Sequence, residues 1–357
     1  MRYLITQQWN NLKGNHAGYP HICHLLEKKY PNKYFTIEIP DQGIYNTLFK
    51  NKYLKIIEIK CKSFVSAWRY KSVYKKYCYT PLSKLKAGDE VFLLEYNYPE
   101  LSQVFLAKYL RHNYPFVRIY AMTHLTPITI QKKHNWRKRL MEWDSCVDKH
   151  LTLGSSLSAF LIESGINNNK VSTGFHAVDT DYYRLKKNIG DNLNSNKKFV
   201  VICLGFQQRN YELLFDIINR CKDVRWIVCH GRSNVDKYIL PSENVTLKGY
   251  VSEEELKLLL ESADFSLNVM NDTIGSNVIT MSMAMGLGLF VSDVGSIRDY
   301  CDSHNAVFCK NTVDDFVEAI NTIAHSPEII KNMRIASLEK VKDFTVEKTD
   351  LWFDTLK

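Results

Sequence analysis

Small residues and one arginine in the second half of the sequence have the types and spacing of an anion site. Gly275, Ser276 and Asn277 lie between a predicted strand and a predicted helix. Free backbone N–H groups at a helix start, together with the helix dipole, favour an anion. Arg209 closely follows Gly205, which ends another predicted strand, and its planar guanidinium suits a diphosphate. The pattern indicates a phosphate site, although many α/β domains have such a turn for structural reasons alone.

The elements that would position these residues alternate between strands and helices. In the second half we predict strands at 199–204, 226–229, 245–248, 265–269, 289–292 and 306–308, with helices near 210–221, 253–262, 276–286, 296–302 and 312–325. In the first half we predict strands at 3–7, 35–39, 90–96, 117–122, within 148–156 and at 170–176, with helices at 19–30, at 101–112 and directly after 148–156. This alternation predicts parallel α/β sheets, which hold ligands at the carboxyl edge. The polar stretch 186–197 indicates a linker or loop, and 327–357 is helical in pattern.

The composition is that of a globular protein of two domains. The length of 357 residues fits two domains. The fractions of apolar residues, 45%, and of charged residues, 24%, are typical of globular proteins. The opening Met-Arg-Tyr-Leu-Ile becomes polar by Gln7, and no stretch reaches the ~18 apolar residues of a membrane span. Nine scattered cysteines without a Cys-x-x-Cys pair predict reduced thiols. We therefore expect a cytoplasmic protein.

The net charge of +9 is concentrated in the first half. Residues 50–86 carry eleven basic side chains and one acid, Glu58, with aromatic residues between them. Such a stretch suits an interfacial helix at an anionic membrane surface. A second basic cluster at 132–139 is either a solvated face or a similar patch. No nucleic-acid recognition motif accompanies either, so nucleic-acid binding is not expected.

Several segments, in a fixed order, resemble one enzyme family. They are Asn-His-Ala-Gly at 15–18, His-Ala-Val-Asp at 176–179, Leu-Gly followed by Arg at 204–209, Val-Thr-Leu-Lys-Gly-Tyr-Val at 245–251, Ala-Asp-Phe at 263–265, Ser-Met-Ala-Met-Gly-Leu at 282–287 and Val-Ser-Asp-Val-Gly at 291–295. Together they resemble the retaining GT-B glycosyltransferases, often called family 4 or group 1. The resemblance is strong from 170 to 325 and weak before.

The resemblance implies an α/β fold of two Rossmann-like domains that face a cleft. Residues 1–175 would bind the acceptor, 176–340 would bind the nucleotide sugar, and 341–357 would form a helix that crosses back to the first domain. The implied activity is metal-independent, hexosyl-type transfer from a UDP- or GDP-sugar to a glycan or lipid-linked acceptor in surface polysaccharide or glycoconjugate synthesis. Anomeric retention is implied by the resemblance as well.

The resemblance also implies roles for individual residues. The donor would contact Gly205, Arg209, Gly249, Tyr250, Val251, Gly275, Ser276, Asn277, Val278 and Ser282. The catalytic set would be His124, Arg209 and Asp272. The loop of the first domain would contribute Gly14, Asn15, His16 and Gly18. Three of these residues have a structural alternative. It is a surface position for Arg209, a core or surface position for Tyr250, and a core position for His124.

One departure concerns a pair of glutamates that the family places eight residues apart around the phosphate turn. Thr273 and Met281 stand at those positions here. A shift of one residue offers Asp272 and Thr280 as substitutes for the pair, or Ser282 as a hydroxyl for the ribose, and we predict that Asp272 contacts the sugar.

A bound metal is not expected. His21 and His24 are one helical turn apart, and Asp179-Thr-Asp181 has the letters of a metal motif, but neither stands in a convincing metal context.

Two alternatives remain from the sequence. A nucleotide-sugar epimerase of the same fold would convert a donor without an acceptor. A non-catalytic GT-B protein that binds a glycan or a partner would explain the absent glutamates.

Overall fold

The computed structural model describes residues 1–8, 15–41, 62–97, 102–186, 189, 198–205, 207–231, 233–235, 238 and 243–356. Several features predicted from the sequence lie outside these ranges. They are Gly14, the basic residues Lys50, Lys52, Lys55 and Lys60, and most of the predicted linker at 186–197.

Within the described residues, the first sheet has six parallel strands in the order β2-β1-β3-β4-β5-β6. They are β1 Arg2–Gln7, β2 Tyr34–Ile39, β3 Glu90–Leu93, β4 Arg118–Met122, β5 Lys149–Thr152 and β6 Val171–Thr173. Its helices are α1 Tyr19–Lys29, α2 Lys62–Tyr77, α3 Tyr79–Leu82, α4 Val104–Asn113, α5 Pro127–Gln131, α6 Trp136–Asp144 and α7 Ser155–Glu163, and a 3-10 turn spans Asn168–Lys170.

The second sheet also has six parallel strands, in the order β12-β11-β10-β7-β8-β9. They are β7 Val200–Leu204, β8 Arg225–Cys229, β9 Val245–Lys248, β10 Phe265–Asn268, β11 Gly288–Ser292 and β12 Ala306–Cys309. The helices are α8 Tyr211–Arg220, α9 Glu253–Ser262, α10 Asn277–Ala284, α11 Ile297–Tyr300, α12 Val313–Ala324, α13 Pro327–Lys340 and α14 Val346–Asp354, with a 3-10 turn at Val341–Phe344.

Continuous apolar strands and side-chain caps explain much of this pattern. All five residues of β11 are buried, as expected of a parallel strand covered by helices on both faces. Asn210 begins α8 by accepting a hydrogen bond from the Leu213 amide at 3.1 Å, and Ser252 begins α9 in the same way from Glu255. These caps place the helix starts at the carboxyl edge of the sheet.

Each sheet reverses its strand order once. In the first sheet the reversal lies between β1 and β3, and in the second it lies between β7 and β10. The loops that leave such a pair of strands diverge to opposite faces and open a crevice at the carboxyl edge. The two crevices are therefore where the fold favours ligands.

The last helix packs on the first domain, which confirms the predicted crossing. Arg2 Nη2 donates to the Phe353 carbonyl at 2.9 Å, and the Tyr34 hydroxyl donates to Asp350 at 2.5 Å. The Phe353 ring lies 4.4 Å from the Phe92 ring in the core of the first sheet. Residues 346–356 thus belong structurally to the first domain.

The loop between β5 and α7 joins the two domains directly. The Tyr300 hydroxyl donates to the Leu153 carbonyl at 2.6 Å, and the hydroxyls of Ser156 and Ser296 lie 2.6 Å apart. Ile274, which follows β10 of the second sheet, is buried in the hydrophobic cluster of the first domain. One end of the cleft is therefore closed by protein contacts.

The position of helix α2 contradicts part of the prediction that residues 50–86 form an interfacial helix. Tyr70 and Tyr74 are buried in the core of the first domain rather than placed at an interface. Trp68 is 63% exposed, and Lys71 and Lys75 are exposed as well. Buried and exposed residues alternate along α2 because a helix that covers a sheet turns one face toward the sheet. No helix in the described part of the chain has the length and apolar character that crossing a bilayer requires.

Candidate active site

The loops after β7 and β10 meet at the crevice of the second sheet. The backbones of Arg209 and Met270 form an isolated antiparallel bridge, and the Asn210 amide donates to the Val269 carbonyl at 3.1 Å. Gly205 begins the first loop with a φ of +85°, in the left-handed region that glycine adopts without strain. The pairing fixes where the Arg209 side chain enters the crevice.

Arg209 is a half-buried cation without an acidic partner in the described structure. Its Nε donates to the Leu204 carbonyl at 2.9 Å, and its Nη2 lies 3.4 Å from Asn268 Oδ1. Burial lowers the pKa of its guanidinium to about 10, which still leaves it charged at neutral pH. Because a desolvated cation favours a nearby negative charge, the position suits an anionic ligand.

Gly205 lies against this guanidinium and against the start of α10. A Cβ at this position would lie 3.3 Å from Arg209 Nη2 and 3.4 Å from Val278 Cγ2. The structure therefore brings together Gly205, Arg209 and Val278, three residues that were predicted to contact the donor.

The start of α10 presents free amides. The N-cap Ser276 makes no side-chain capping bond, and the backbone N–H groups of Ser276, Asn277 and Val278 have no acceptor among the described residues. Such orphan donors at a helix start suit the oxygens of a phosphate. The helix start and Arg209 thus converge on the crevice from two loops.

Gly275 has a different role from the one predicted. Its own amide lies 3.2 Å from Thr273 Oγ1, and its φ is +115°. A Cβ there would overlap the Tyr300 hydroxyl and the Leu153 carbonyl. Gly275 therefore allows the close approach of the first domain and does not offer a free amide to a ligand.

Asp272 lies half-buried at the cleft. Burial raises the pKa of its carboxyl above its usual range, although hydrogen bonds from the Thr273 backbone and the Thr126 side chain oppose this shift. A Cβ at Gly295 would lie 2.7 Å from Asp272 Oδ1. Because Thr126 belongs to the first domain, this carboxylate sits where both domains meet.

The other positions around the missing glutamates are buried. Thr273 and Met281 are each 5% exposed, and the Thr280 hydroxyl donates to the Asn277 carbonyl at 3.1 Å. Ser282 is fully buried, and its Oγ has no hydrogen-bond partner in the described structure. Asp272 is therefore the one acidic side chain among these five positions.

The segment Gly249–Val251 follows the edge strand β9. A Cβ at Gly249 would lie 3.8 Å from the carbonyl oxygen of Gly231, which follows the neighbouring strand β8. Tyr250 is 55% exposed. The structure thus places this segment at the same carboxyl edge as Gly205, two strands away.

On the first domain, His124 follows β4 and faces the cleft side of the sheet. Its Nε2 lies 2.7 Å from the Leu94 carbonyl, and its ring is 5.8 Å from that of His176. Burial, and secondarily the nearby His124, lower the pKa of His176 to about 3, so this imidazole is neutral. The His176 Nδ1 has no partner in the described structure.

The loop before α1 is held by its own side chains. Asn15 Oδ1 accepts from the Ala17 amide at 3.1 Å, and the Gly18 amide donates to the Asn15 carbonyl at 3.0 Å. The His16 ring stacks on Tyr182 at 3.5 Å. The loop therefore contacts the segment that precedes the second domain.

Polar side chains at the carboxyl ends of β1 and β3 escaped the sequence analysis. Thr6 and Gln7 are buried, and Thr6 Oγ1 and Gln7 Oε1 have no partner in the described structure. Asn97 Nδ2 donates to Thr123 Oγ1 at 3.2 Å. The available signal was the change from apolar to polar residues at the end of a buried strand.

Known structures resemble this architecture along its whole length. A sucrose-phosphate synthase from Thermosynechococcus elongatus superposes with a TM-score of 0.71 at 13% identity, covering 100% of this chain and 98% of that one. The Anabaena protein HepE in complex with UDP-glucose gives 0.65 at 12% identity, and the lipopolysaccharide outer core galactosyltransferase WaaB gives 0.65 at 12% identity, each covering 99% of both chains.

The fold is GT-B. Residues 198–326, which contain all six described strands of the second sheet, match the model of the family described as glycosyl transferases group 1. No protein of curated function matches the chain in sequence. The matched residues 198–326 contain Arg209 and the start of α10. They therefore include both the cation that has no acidic partner among the described residues and the free amides of the helix start.

Proposed function

We propose that the chain is a glycosyltransferase that takes its sugar from a nucleoside diphosphate sugar. The observation that carries this proposal is the convergence of the Arg209 guanidinium with the free amides of residues 276–278 at the crevice of the second sheet. Departure of a nucleoside diphosphate places negative charge on its phosphate oxygens. A preorganised cation and helix-start amides stabilise such charge, so the transfer is proposed to be metal-independent.

The donor is proposed to be a UDP- or GDP-linked hexose. The known complex of HepE with UDP-glucose supports a nucleotide-sugar donor in this fold. Gly249–Val251 would hold the base, the helix start and Arg209 the diphosphate, and Asp272 the sugar. Ser282 is kept as the proposed ribose contact only if its buried hydroxyl becomes accessible when a donor binds.

The acceptor is proposed to bind on the first domain. Thr6, Gln7 and the loop containing Asn15, His16 and Gly18 surround its crevice, and His124 lies at the same edge. A glycan or lipid-linked acceptor of surface polysaccharide or glycoconjugate synthesis would be bound by the polar side chains at this edge. Attack on the same face as the leaving phosphate, with retention and without a protein nucleophile, is proposed for the chemistry.

The proposed division of labour follows the domains. Residues 1–175 bind the acceptor, 176–340 bind the donor, and 341–357 return to the first domain. We propose a cytoplasmic protein that is peripheral on the membrane face, with the basic part of residues 50–86 toward anionic lipid.

Thermal stabilisation by a panel of UDP- and GDP-sugars tests the donor assignment. We expect one donor to raise the melting temperature of the wild type and of Arg220→Ala, a surface arginine paired with Asp314. The same donor should leave Arg209→Ala unshifted. Equal stabilisation of Arg209→Ala would contradict the phosphate assignment, and conversion of the donor without an acceptor would indicate an epimerase.

A non-catalytic sugar-nucleotide binding protein is the second candidate. It is favoured by the buried, uncharged Thr273 and Met281 at the positions of the family's glutamates. Donor binding without transfer to any of a panel of lipid-linked and free glycan acceptors would support it.

A further inference from the structure

The ring nitrogens of two histidines lie close to one carboxylate oxygen of an aspartate that is distant in the sequence. His16 Nδ1 lies 3.0 Å and His21 Nε2 lies 2.8 Å from Asp179 Oδ2. All three atoms lie within 4.8 Å of one another. His16 precedes α1, His21 is within α1, and Asp179 comes after β6, so the cluster exists only in the folded chain.

The carboxylate is oriented so that one oxygen is left for this cluster. Asp179 Oδ1 accepts hydrogen bonds from the amides of Asp181 and Tyr182, each at 3.1 Å. Those bonds leave Oδ2 directed at the two imidazoles. Support of this kind from outside the ligand set is typical of built metal sites.

The His16 side chain is fixed as well. Its ring stacks on Tyr182 with an interplanar angle of 7°, and its backbone amide donates to Glu253 Oε1 at 2.9 Å. Glu253 also accepts from the Tyr183 hydroxyl, which anchors this contact on the second domain. His16 therefore needs little further ordering to act as a ligand.

The donor set selects a class of metal. Two imidazole nitrogens and one carboxylate oxygen suit zinc and its neighbours, whereas calcium and magnesium prefer oxygen ligands alone. Metal–ligand bonds of about 2.0–2.2 Å in a tetrahedron place neighbouring ligand atoms roughly 3.3 Å apart. The observed separations of 2.8 and 3.0 Å require only a small outward movement of the rings.

Solvent can reach the cluster. The side chains of His16 and His21 are 24% and 27% exposed, whereas that of Asp179 is 11% exposed. A metal could therefore enter from the histidine side, and a water molecule could complete its coordination.

We propose that His16, His21 and Asp179 bind one zinc-class divalent ion that tethers the loop before α1 to the segment leading into the second domain. The cluster contains none of the residues proposed to hold the diphosphate. The proposal concerns a tether rather than the transfer step, and it stands whether or not the chain transfers sugar.

Metal content of the purified full chain tests the proposal. The protein is stripped with a chelator, incubated with equimolar zinc chloride, passed through a desalting column and analysed by mass spectrometry of the metal. We expect about one zinc ion per chain in the wild type and less than about a fifth of that in His21→Gln and in Asp179→Asn. Cobalt in place of zinc should give the visible absorption of a four-coordinate site in the wild type.

His24→Gln is the matched control. His24 lies one turn along the same helix, but its Nε2 pairs with Glu38 at 2.7 Å and not with the cluster. This variant should retain zinc as the wild type does. Zinc should also raise the melting temperature of the wild type and of His24→Gln but not that of His21→Gln.

Metal-free melting curves of His21→Gln and the wild type establish that both are folded. A wild type that leaves the column without zinc overturns the proposal and reduces the cluster to hydrogen-bonded histidines around one carboxylate. Undiminished zinc in a folded His21→Gln, or zinc lost equally from His24→Gln, overturns it too, because the ion would then lie elsewhere.

Discussion

The carboxyl edges of the two sheets both lie at parallel strands with one reversal of order, but they have opposite chemistry. The crevice of the second sheet contains the Arg209 guanidinium and the free amides at the start of α10. The described loop residues that follow β1, β3 and β4 at the first edge include no lysine or arginine. Thr6 and Gln7 at the end of β1 and His176 after β6 present hydroxyl, amide and neutral imidazole groups, and the buried Glu95 after β3 adds a carboxyl group.

This difference separates charge between the domains. A group that becomes an anion is stabilised on the second sheet, whereas a group rich in hydroxyls finds uncharged donors and acceptors on the first. Two similar parallel sheets are thus suited to different ligands by the few residues that follow their strands. Substitutions at each edge test this contrast.

The largest effect is expected at the cationic edge. Arg209→Ala should lower kcat by about 10²–10³-fold, because it removes one preorganised donor to the leaving phosphate. Steady-state transfer assays with the donor found by thermal stabilisation measure this. Arg220→Ala, at an exposed helix position, should retain wild-type kcat, and similar rates for the two variants would remove the contrast between the edges.

Asp272→Asn should have the next largest effect on activity. Losing a charged hydrogen bond to the sugar should lower kcat about tenfold, roughly 1.4 kcal/mol. Because burial raises the folded pKa of this carboxyl, the folded state binds the proton more tightly, and the ionised group costs stability above the unfolded pKa.

The same variant should therefore be no less stable than the wild type at neutral pH. Urea unfolding measures this, with Asp314→Asn at an exposed position as control. Reduced stability together with unchanged kcat would assign Asp272 a structural role instead.

At the neutral edge, His176 should make the fold sensitive to mild acid. Its pKa is about 3 when folded and about 6.5 when unfolded, so the unfolded state binds more protons between these values. Stability is complete above about pH 6.5 and falls as the pH drops toward 3, by at most ~1.4 kcal/mol per pH unit.

His176→Asn should lose this part of the pH dependence. The free energy of unfolding in urea at pH 7 and pH 5 is compared for the two proteins, so that other titrating groups cancel. Identical slopes for both would mean that this imidazole is not held neutral by the fold.

The smallest effect concerns the outer face of the first domain. Lys75→Ala on α2 should weaken flotation with anionic vesicles about fivefold, since each basic residue near such a surface contributes ~1 kcal/mol. Binding should vanish at high salt. Lys310→Ala, on the second domain, serves as the control. No flotation of the wild type at low salt would remove the proposed membrane contact.

Much of the fold was predictable because it depends on local patterns. The bounds of β9 and α9 match the prediction residue for residue, since alternating apolar runs and the Ser252 cap are read within a short window. The third strand ends at Leu93, earlier than predicted, because residues 94–97 form a buried turn instead of continuing the strand. Helices α5 and α6 were not predicted at all.

The parts of the site that were missed depend on distant contacts. Gly275 owes its conformation to Tyr300 and Leu153, the latter from the other domain. His21 was compared with His24 along its helix, yet its partner Asp179 is 158 positions away. Proximity of this kind follows from the packing of domains, which no local window of sequence contains.

The placement of residues 346–356 on the first domain has a consequence for biosynthesis. Phe353 and Leu356 complete an apolar cluster with Leu4 and Phe92, which precede them in the chain and are therefore translated earlier. During synthesis the first sheet therefore has an exposed apolar groove, which stays open until the second domain has been translated. Because residues 346–356 follow the second domain in the chain, they cannot cover this apolar surface earlier, and until then the surface favours aggregation.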